Sequence, residues 1–315
     1  MELPSYDDLP DAPKGGRSGW HVFGADDQVG LMNLQTPDRV AAAAAEIQRG
    51  AVFALSAEVR MFDPPLYGRV MPKHRLITVE GDTGFDDALD DFNPQSSSQW
   101  DSLAHEGYGR NSFYNNATRD DILAGRRNSI SHWARRGIVG RAVVLDVAAI
   151  IGDDYDPGQA RSVSVDDLER CRATAGVDYL PGDVLILHTG FAAWYREQDA
   201  ARRALMTSDK TLTAVGLEHS EAMARYLWDA HVSAVVGDNP AVEVWPPDFS
   251  REARPFGYMH RILIGQFGMG LGELWWLDDL ARDCREDGRY TAFFSSAPLY
   301  VEGGVSSPPN AVAIK

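Results

Sequence analysis

No run in the 315-residue chain reaches the ~18 consecutive apolar residues of a membrane-spanning helix. The richest stretch, Ala142 to Ile151, is broken by Asp146. Cysteine is scarce: Cys171 and Cys284 lie far apart, in no metal or redox spacing, and reduced, buried, inert thiols are expected. Basic charge is also short. Thirty Lys and Arg stand against 46 Asp and Glu, a formal net charge of −16. A surface this acidic repels phosphate backbones and anionic membranes, so neither nucleic acid nor membrane is an expected partner. The first twenty residues, MELPSYDDLPDAPKGGRSGW, lack a basic-then-apolar signal region, and a cytoplasmic protein is expected. The familiar catalytic signatures are missing too: no G-x-S-x-G, no H-E-x-x-H, no P-loop, no C-x-x-C. Gly268-Met269-Gly270-Leu271-Gly272 is glycine-rich but lacks the spacing of a dinucleotide loop.

What is present reads as a soluble α/β chain, 44% hydrophobic and 24% charged. Residues 1–19 read as an irregular arm and residues 20–315 as one catalytic domain. Thr36-Pro37-Asp38 opens a helix that Gly50 ends, and a strand follows from Ala51 to Arg60. Residues 62–98 are rich in Pro, Gly, Asp and Ser and show no sustained period. Ser129 to Arg136 is a short helix stopped by Gly137. Strands are predicted at Ala142–Val147, Asp183–His188, Val232–Val236, Arg261–Gly265 and Tyr290–Ser296. Helices are predicted from Ser164, over Leu217–Ala230 and over Leu277–Glu286. Strands outnumber a simple alternating wheel, so the expected fold is a mixed sheet with flanking helices.

The segment Gln95-Ser96-Ser97-Ser98-Gln99-Trp100-Asp101-Ser102-Leu103-Ala104-His105 carries the chemistry. Gln95, Gln99, Asp101 and His105 all fall on odd positions, and an extended chain places them on one side, with Trp100 on the other. Two amides, a carboxylate and an imidazole in one row are costly to bury without a purpose. From residues alone an exposed, Ser-rich loop whose polar residues meet water is the preferred account of them. Trp100, Tyr108, Phe113 and Tyr114 suit either core packing or a flat substrate pocket. Trp20, His21 and His74 lie in irregular segments that could line a pocket or simply sit at the surface. The acids Asp86, Asp87, Asp90 and Asp91 read as a solvated run.

The segment resembles the signature of the cyclase family of metal-dependent hydrolases, which includes bacterial kynurenine formamidase and isatin hydrolase. That signature is H-x-G-T-H-x-D-x-P-x-H. Asp101 and His105 fall on its Asp and last His, while Gln95 and Gln99 stand on its first two histidines and Leu103 on its Pro. The resemblance runs from about residue 20 to the end. It includes Gly24–Leu34, Arg136–Arg141, Pro181–Leu185, Val236–Asn239, Met259-His260-Arg261 and Gly272-Glu273-Leu274. It implies a partly barrel-like sheet with flanking helices, the swivelling β/β/α fold of the family.

By resemblance Asp101, His260 and Glu273 match metal ligands, and His105 matches the catalytic acid/base. Two histidine ligands are absent, which suggests a single divalent site, Mn or Zn, with the Gln99 oxygen as a fourth ligand. Gln95, Trp100, Tyr108, His74 and Trp20 are the candidate substrate contacts. The expected activity is hydrolysis of a small carbonyl compound, such as an amide, lactam or lactone, by metal-activated water with His105 moving the proton. A metal-free cyclase or lyase using the same pocket is the first alternative. A small-molecule-binding member without chemistry is the second. A homodimer or homotetramer is what the resemblance suggests.

Overall fold

The computed structural model describes residues 3–152 and 155–315. The strands are β1 (Val52–Ala54), β2 (Lys73–Thr78), β3 (Phe85–Asp90), β4 (Gln99–Asp101), β5 (Ile138–Asp146), β6 (Ser162–Val163) and β7 (Val184–His188). They continue as β8 (Gly216–Leu217), β9 (Ala234–Gly237), β10 (Gly270–Glu273), β11 (Thr291–Ser296), β12 (Ser306–Ser307) and β13 (Ala311–Ile314). Nine of them form one mixed sheet in the order β1-β13-β11-β5-β7-β9-β10-β4-β12. It curls as a half-barrel with helices outside, the mixed α/β class expected.

The centre of the sheet, β5, β7, β9 and β10, is parallel, and both edges are antiparallel. Parallel strands covered on both faces read as continuous apolar runs, and Val184 to Leu187 and Ala234 to Val236 are fully buried accordingly. Three helices cover them: Val165–Ala175 buries Leu168 and Cys171, Glu221–Asp229 buries Met223, Leu227 and Trp228, and Asp278–Asp287 buries Leu280 and Cys284. Ser164 and Asp167 close a capping box on the first of these. Burial pushes the Cys171 thiol up to about 12 and the Cys284 thiol up to about 11, so both are protonated at neutral pH, as inert thiols should be. Among the described residues no helix is long and apolar enough to cross a membrane.

Several expectations change. Arg261–Gly265 is not a strand. His260–Leu263 is a single buried helical turn, and the Glu243 carboxylate caps it by accepting from the Met259 and His260 amides. A short apolar run fits either element, and a cap supplied from a distant segment cannot be seen locally. The strand at Ala142 ends at Asp146, whose side chain caps the helix Val147–Ile151. The helix from Pro37 ends at Ala43, with a 3-10 turn at Ala44–Glu46. The strand near residue 51 shrinks to Val52–Ala54, and the helix expected from Leu217 starts at Glu221 because Leu217 pairs in β8. Residues 62–98 contain the β2–β3 hairpin, which is almost wholly exposed. With neither face buried, no alternation is written into its sequence.

The parallel strands deliver Asp146, His188 and Glu273, with Asp238 just past β9, to one edge of the sheet. This C-terminal edge is where open α/β sheets bind ligands. Gly30 locks the segment before the first helix against the region after His260. Its φ is +67°, and a Cβ there would meet the Gly268 carbonyl oxygen at 2.0 Å.

Candidate active site

β4 lies antiparallel to β10, with Gln99 opposite Glu273 and Asp101 opposite Leu271. The period of two therefore sends Gln99 and Asp101 to one face together with Glu273. Trp100 goes to the other face, where it packs edge-on to Trp133, Trp275 and Phe294 and donates to Ser296 Oγ at 2.9 Å. It is a core residue, not a substrate contact. Only residues 99–101 are strand. Past Asp101 the Ser102 carbonyl accepts from the His105 amide at 3.0 Å, and this turn brings His105 back beside Asp101. Before β4, Asn93 Oδ1 accepts from the Gln95 amide at 2.9 Å, and that turn brings Gln95 in from the other side.

Gln95 Nε2 donates to Asp101 Oδ1 at 3.0 Å and lies 3.2 Å from His105 Nδ1. A carboxylate only accepts, so the amide nitrogen must face it, and the amide's second hydrogen then meets Nδ1. His105 Nδ1 is thus an acceptor, and the ring proton sits on Nε2. Burial lowers the His105 pKa, against the pull of Asp101, so the neutral ring is favoured. Nε2 lies 3.8 Å from Asp101 Oδ2, too far for a direct hydrogen bond. That oxygen is buried and has no partner among the described residues.

Gln99 is oriented in the same way. Arg69 Nη1 donates to its Oε1 at 3.2 Å, which turns its Nε2 toward Glu273 Oε2 at 2.6 Å and Asp101 Oδ1 at 3.4 Å. His260 lies between two carboxylates: Nε2 is 2.9 Å from Glu273 Oε1, and Nδ1 is bonded to Glu243. Burial opposes its charge, but Tyr258, Glu243 and Glu273 outweigh it and hold its pKa well above the usual value. Glu243, with His219 Nε2 also 2.8 Å away, is pulled down to about 2 by the two rings despite its burial. Burial and then the Asp101 charge push Glu273 up to about 7.

His105 opens into a cleft of about 510 Å³. Phe113, Phe249, Tyr258 and Tyr108 form apolar walls, and Tyr258 stacks on His260 at 5.1 Å between centroids. Tyr108 does line the cleft, with its hydroxyl bonded to the Gly15 carbonyl. Two other candidate contacts fall elsewhere. Trp20 is packed on the core with Nε1 bonded to Gly265 O, and His74 pairs with Asp87 on the exposed hairpin. Arg69, Glu243 and Tyr258 were missed. Arg69 lies in the segment without period, and neither Glu243 nor Tyr258 belongs to a local pattern.

The donor chemistry fits a divalent ion. Asp101, His105 and His260 offer ligand atoms within 4.8 Å of one another, and Asp101 Oδ2 is an unclaimed buried anion. Glu243 on His260 Nδ1 is the carboxylate backing that orients metal-bound imidazoles. Gln99 does not fit as a ligand. Its oxygen is held by Arg69, and it presents N–H to the carboxylates.

A similar fold is found in known structures. One described as a novel cyclase is 30% identical, with a TM-score of 0.84 over 95% of this chain and 99% of that one. Isatin hydrolase A from Ralstonia solanacearum shares the fold at 19% identity, with a TM-score of 0.61 over 89% of this chain and 98% of its own. An isatin hydrolase bound to the product analogue thioisatinate does so at 15% identity and a TM-score of 0.61, over 86% of this chain and 93% of its own. No curated protein matches the sequence. Residues 36–244 match the family model described as "Putative cyclase". With that match and the 30% identical structure aligned over nearly its whole length, the chain belongs to the cyclase family.

Proposed function

We propose that this protein is a hydrolase that opens a small amide, lactam or lactone in the cleft at His105. The observation that carries the reading is the facing pair of Asp101 Oδ2, buried and unpartnered, and His105 Nε2, 3.8 Å apart beside the cleft. Asp101 Oδ2 accepts a proton from the attacking water. Asp101 then returns that proton to the leaving nitrogen or oxygen as its bond to the carbonyl carbon breaks, while neutral His105 donates a hydrogen bond from Nε2 to the carbonyl oxygen and Gln95 holds Nδ1 and with it the tautomer. Gln99 donates to Asp101 and Glu273 and keeps the two carboxylates in place. In place of proton acceptance by Asp101, a divalent ion, Mn or Zn, would be held by Asp101 and His260 of the convergent group, with Glu273 beside His260. Such an ion would polarise the carbonyl and acidify the bound water.

One observation favours a second reading, in which the same hydrolysis needs no ion. Both glutamines aim N–H groups at the carboxylates, so the mutual repulsion of the acceptors is already relieved. Elemental analysis and turnover of a lactone, lactam and formamide panel, with and without EDTA, separate the two. About one equivalent of Mn or Zn and loss of turnover in EDTA supports the metal site. Metal-free protein with full turnover supports the second reading. No turnover of any panel member by metal-loaded or metal-free protein overturns the hydrolase.

A further inference from the structure

The cleft runs against the charge of the protein. The chain carries a net −16, yet the walls that hold Glu106 and Asp248 also hold Lys14, Arg110, Arg254 and Arg261. One of the four cations is neutralised internally: Arg261 pairs with Glu106 at 3.3 Å and lies over the rings of Phe249 and Tyr258, 5.3 Å from each centroid. The other three form no ion pair among the described residues, although acids are abundant elsewhere. Asp248, the remaining acid of the cleft, is bound by the Ser250 amide at 2.8 Å rather than by an arginine.

The three unpaired cations come from separate stretches of chain, and all three line the cleft. Lys14 rides on the N-terminal arm. There Gly15 and Gly16 lie against Pro255 and Phe256, the Tyr108 hydroxyl bonds to Gly15 O, and the Lys14 ammonium sits directly over Gly109. Arg110 follows Gly109 in the loop after His105. Arg254 enters from the segment that also supplies Asp248, Phe249 and Tyr258. Like charges lining one cleft repel one another, and an anion entering it relieves that repulsion. His105 and its partners lie deeper, while these three side chains are exposed at the rim.

We infer that the cleft takes a planar, aromatic-bodied acid. Its anionic group is read at the rim by Lys14, Arg110 and Arg254, its ring lies between Phe113, Phe249 and Tyr258, and its reacting carbonyl reaches His105. The placement of the carbonyl rests on the hydrolase reading; the anion site does not. Arginine forks match a carboxylate through paired N–H donors, which sets the chemical class of the anion.

Benzoate and its neutral isostere benzamide test the site by calorimetry on the full chain, at low and at high salt. Benzoate is expected to bind at least ~10-fold tighter than benzamide, and to weaken as salt rises. In the triple variant Lys14→Ala, Arg110→Ala, Arg254→Ala the preference should vanish while benzamide binding and thermal stability stay unchanged. Equal binding of the two probes by the wild type, or an undiminished preference in a folded triple variant, overturns the proposal. Benzoate binding that depends on the three cations, together with no turnover of the panel, upholds the anion site and overturns only the hydrolase.

Discussion

Two His–Asp clusters stand among the described residues, and one of them adjoins the cleft at His105. Asp101, His105 and His260 adjoin the cleft; His188, Asp238 and Asp278 gather past the ends of β7 and β9 and line no cavity described above. The difference lies in what sits on each imidazole's Nδ1. His188 has Asp146 Oδ1 there at 2.8 Å and Asp278 Oδ1 on Nε2 at 3.4 Å. Burial disfavours its charge, but these acids prevail and push it up to about 10, so it is an imidazolium bonded on both nitrogens. His105 has an amide N–H on Nδ1 and an unclaimed carboxylate beyond Nε2. One ring is a fixed ion-pair member; the other is neutral and offers a hydrogen bond from Nε2. Asp238 Oδ2 and Asp278 Oδ2 are also unpartnered among the described residues, so an orphan oxygen alone does not mark a site. It does so here in combination with the cleft and the neutral ring.

The largest effect expected is on rate. His105→Gln removes the Nε2 hydrogen-bond donor and should lower kcat at least ~10²-fold with little change in melting temperature, whereas His188→Gln should leave kcat unchanged. Equal losses in the two variants would erase the distinction between the clusters.

His188→Gln should act on stability instead. Removing one member of a buried ion pair leaves uncompensated charge and costs about 3 kcal/mol in urea unfolding. A loss under ~0.5 kcal/mol would show that this network is no structural element.

The pH dependence follows from the same ring. The folded pKa of His188, about 10, lies above the ~6.5 of the unfolded chain. Its contribution is therefore complete below pH ~6.5 and is lost as pH rises through about 10. Asp146 moves in the opposite sense: it is depressed in spite of burial by His188 and Arg285, so its share is present above pH ~4 and is lost in acid. The stability gap between wild type and His188→Gln should narrow steadily from pH 6.5 to 10. A constant gap would contradict the charged ring.

The smallest effect belongs to a third pair. His74 and Asp87 lie 2.6 Å apart but exposed on the hairpin, and His74→Ala should change stability by less than ~0.5 kcal/mol and leave kcat unchanged. A large loss of rate would restore His74 to the substrate site.

The parallel core was legible because it is buried on both faces. Val184–His188 was placed within a residue, and so were the antiparallel strand at Tyr290–Ser296, whose burial alternates, and the helix that begins at Asp278. The capping box at Ser164 gave the start of another helix, and Gly137, at φ +75°, the end of a third. The odd-numbered row Gln95, Gln99, Asp101 and His105 does converge, though not through one strand: turns at both ends do what the alternation was expected to do. Trp100 was legible as pointing away, and that orientation puts it in the core. Contacts set by distant segments were not legible. Arg69 fixes the Gln99 amide from thirty positions upstream, and Glu243 caps a helical turn that the local sequence writes as a strand. Gln99 was expected as a fourth metal ligand and Gln95 as a substrate contact, but their N–H groups give them a role of their own: Gln95 sets the tautomer of His105 and Gln99 joins Asp101 to Glu273.

The most direct test replaces one carboxylate in each cluster. Asp101→Asn and Asp238→Asn are isosteric, and both positions are fully buried. Their kcat values should be measured side by side on the panel compound that the wild type turns over, after circular dichroism shows both variants folded. The proton-acceptor role of Asp101 predicts at least a ~10²-fold loss in Asp101→Asn and wild-type turnover in Asp238→Asn. Undiminished turnover in Asp101→Asn would contradict it.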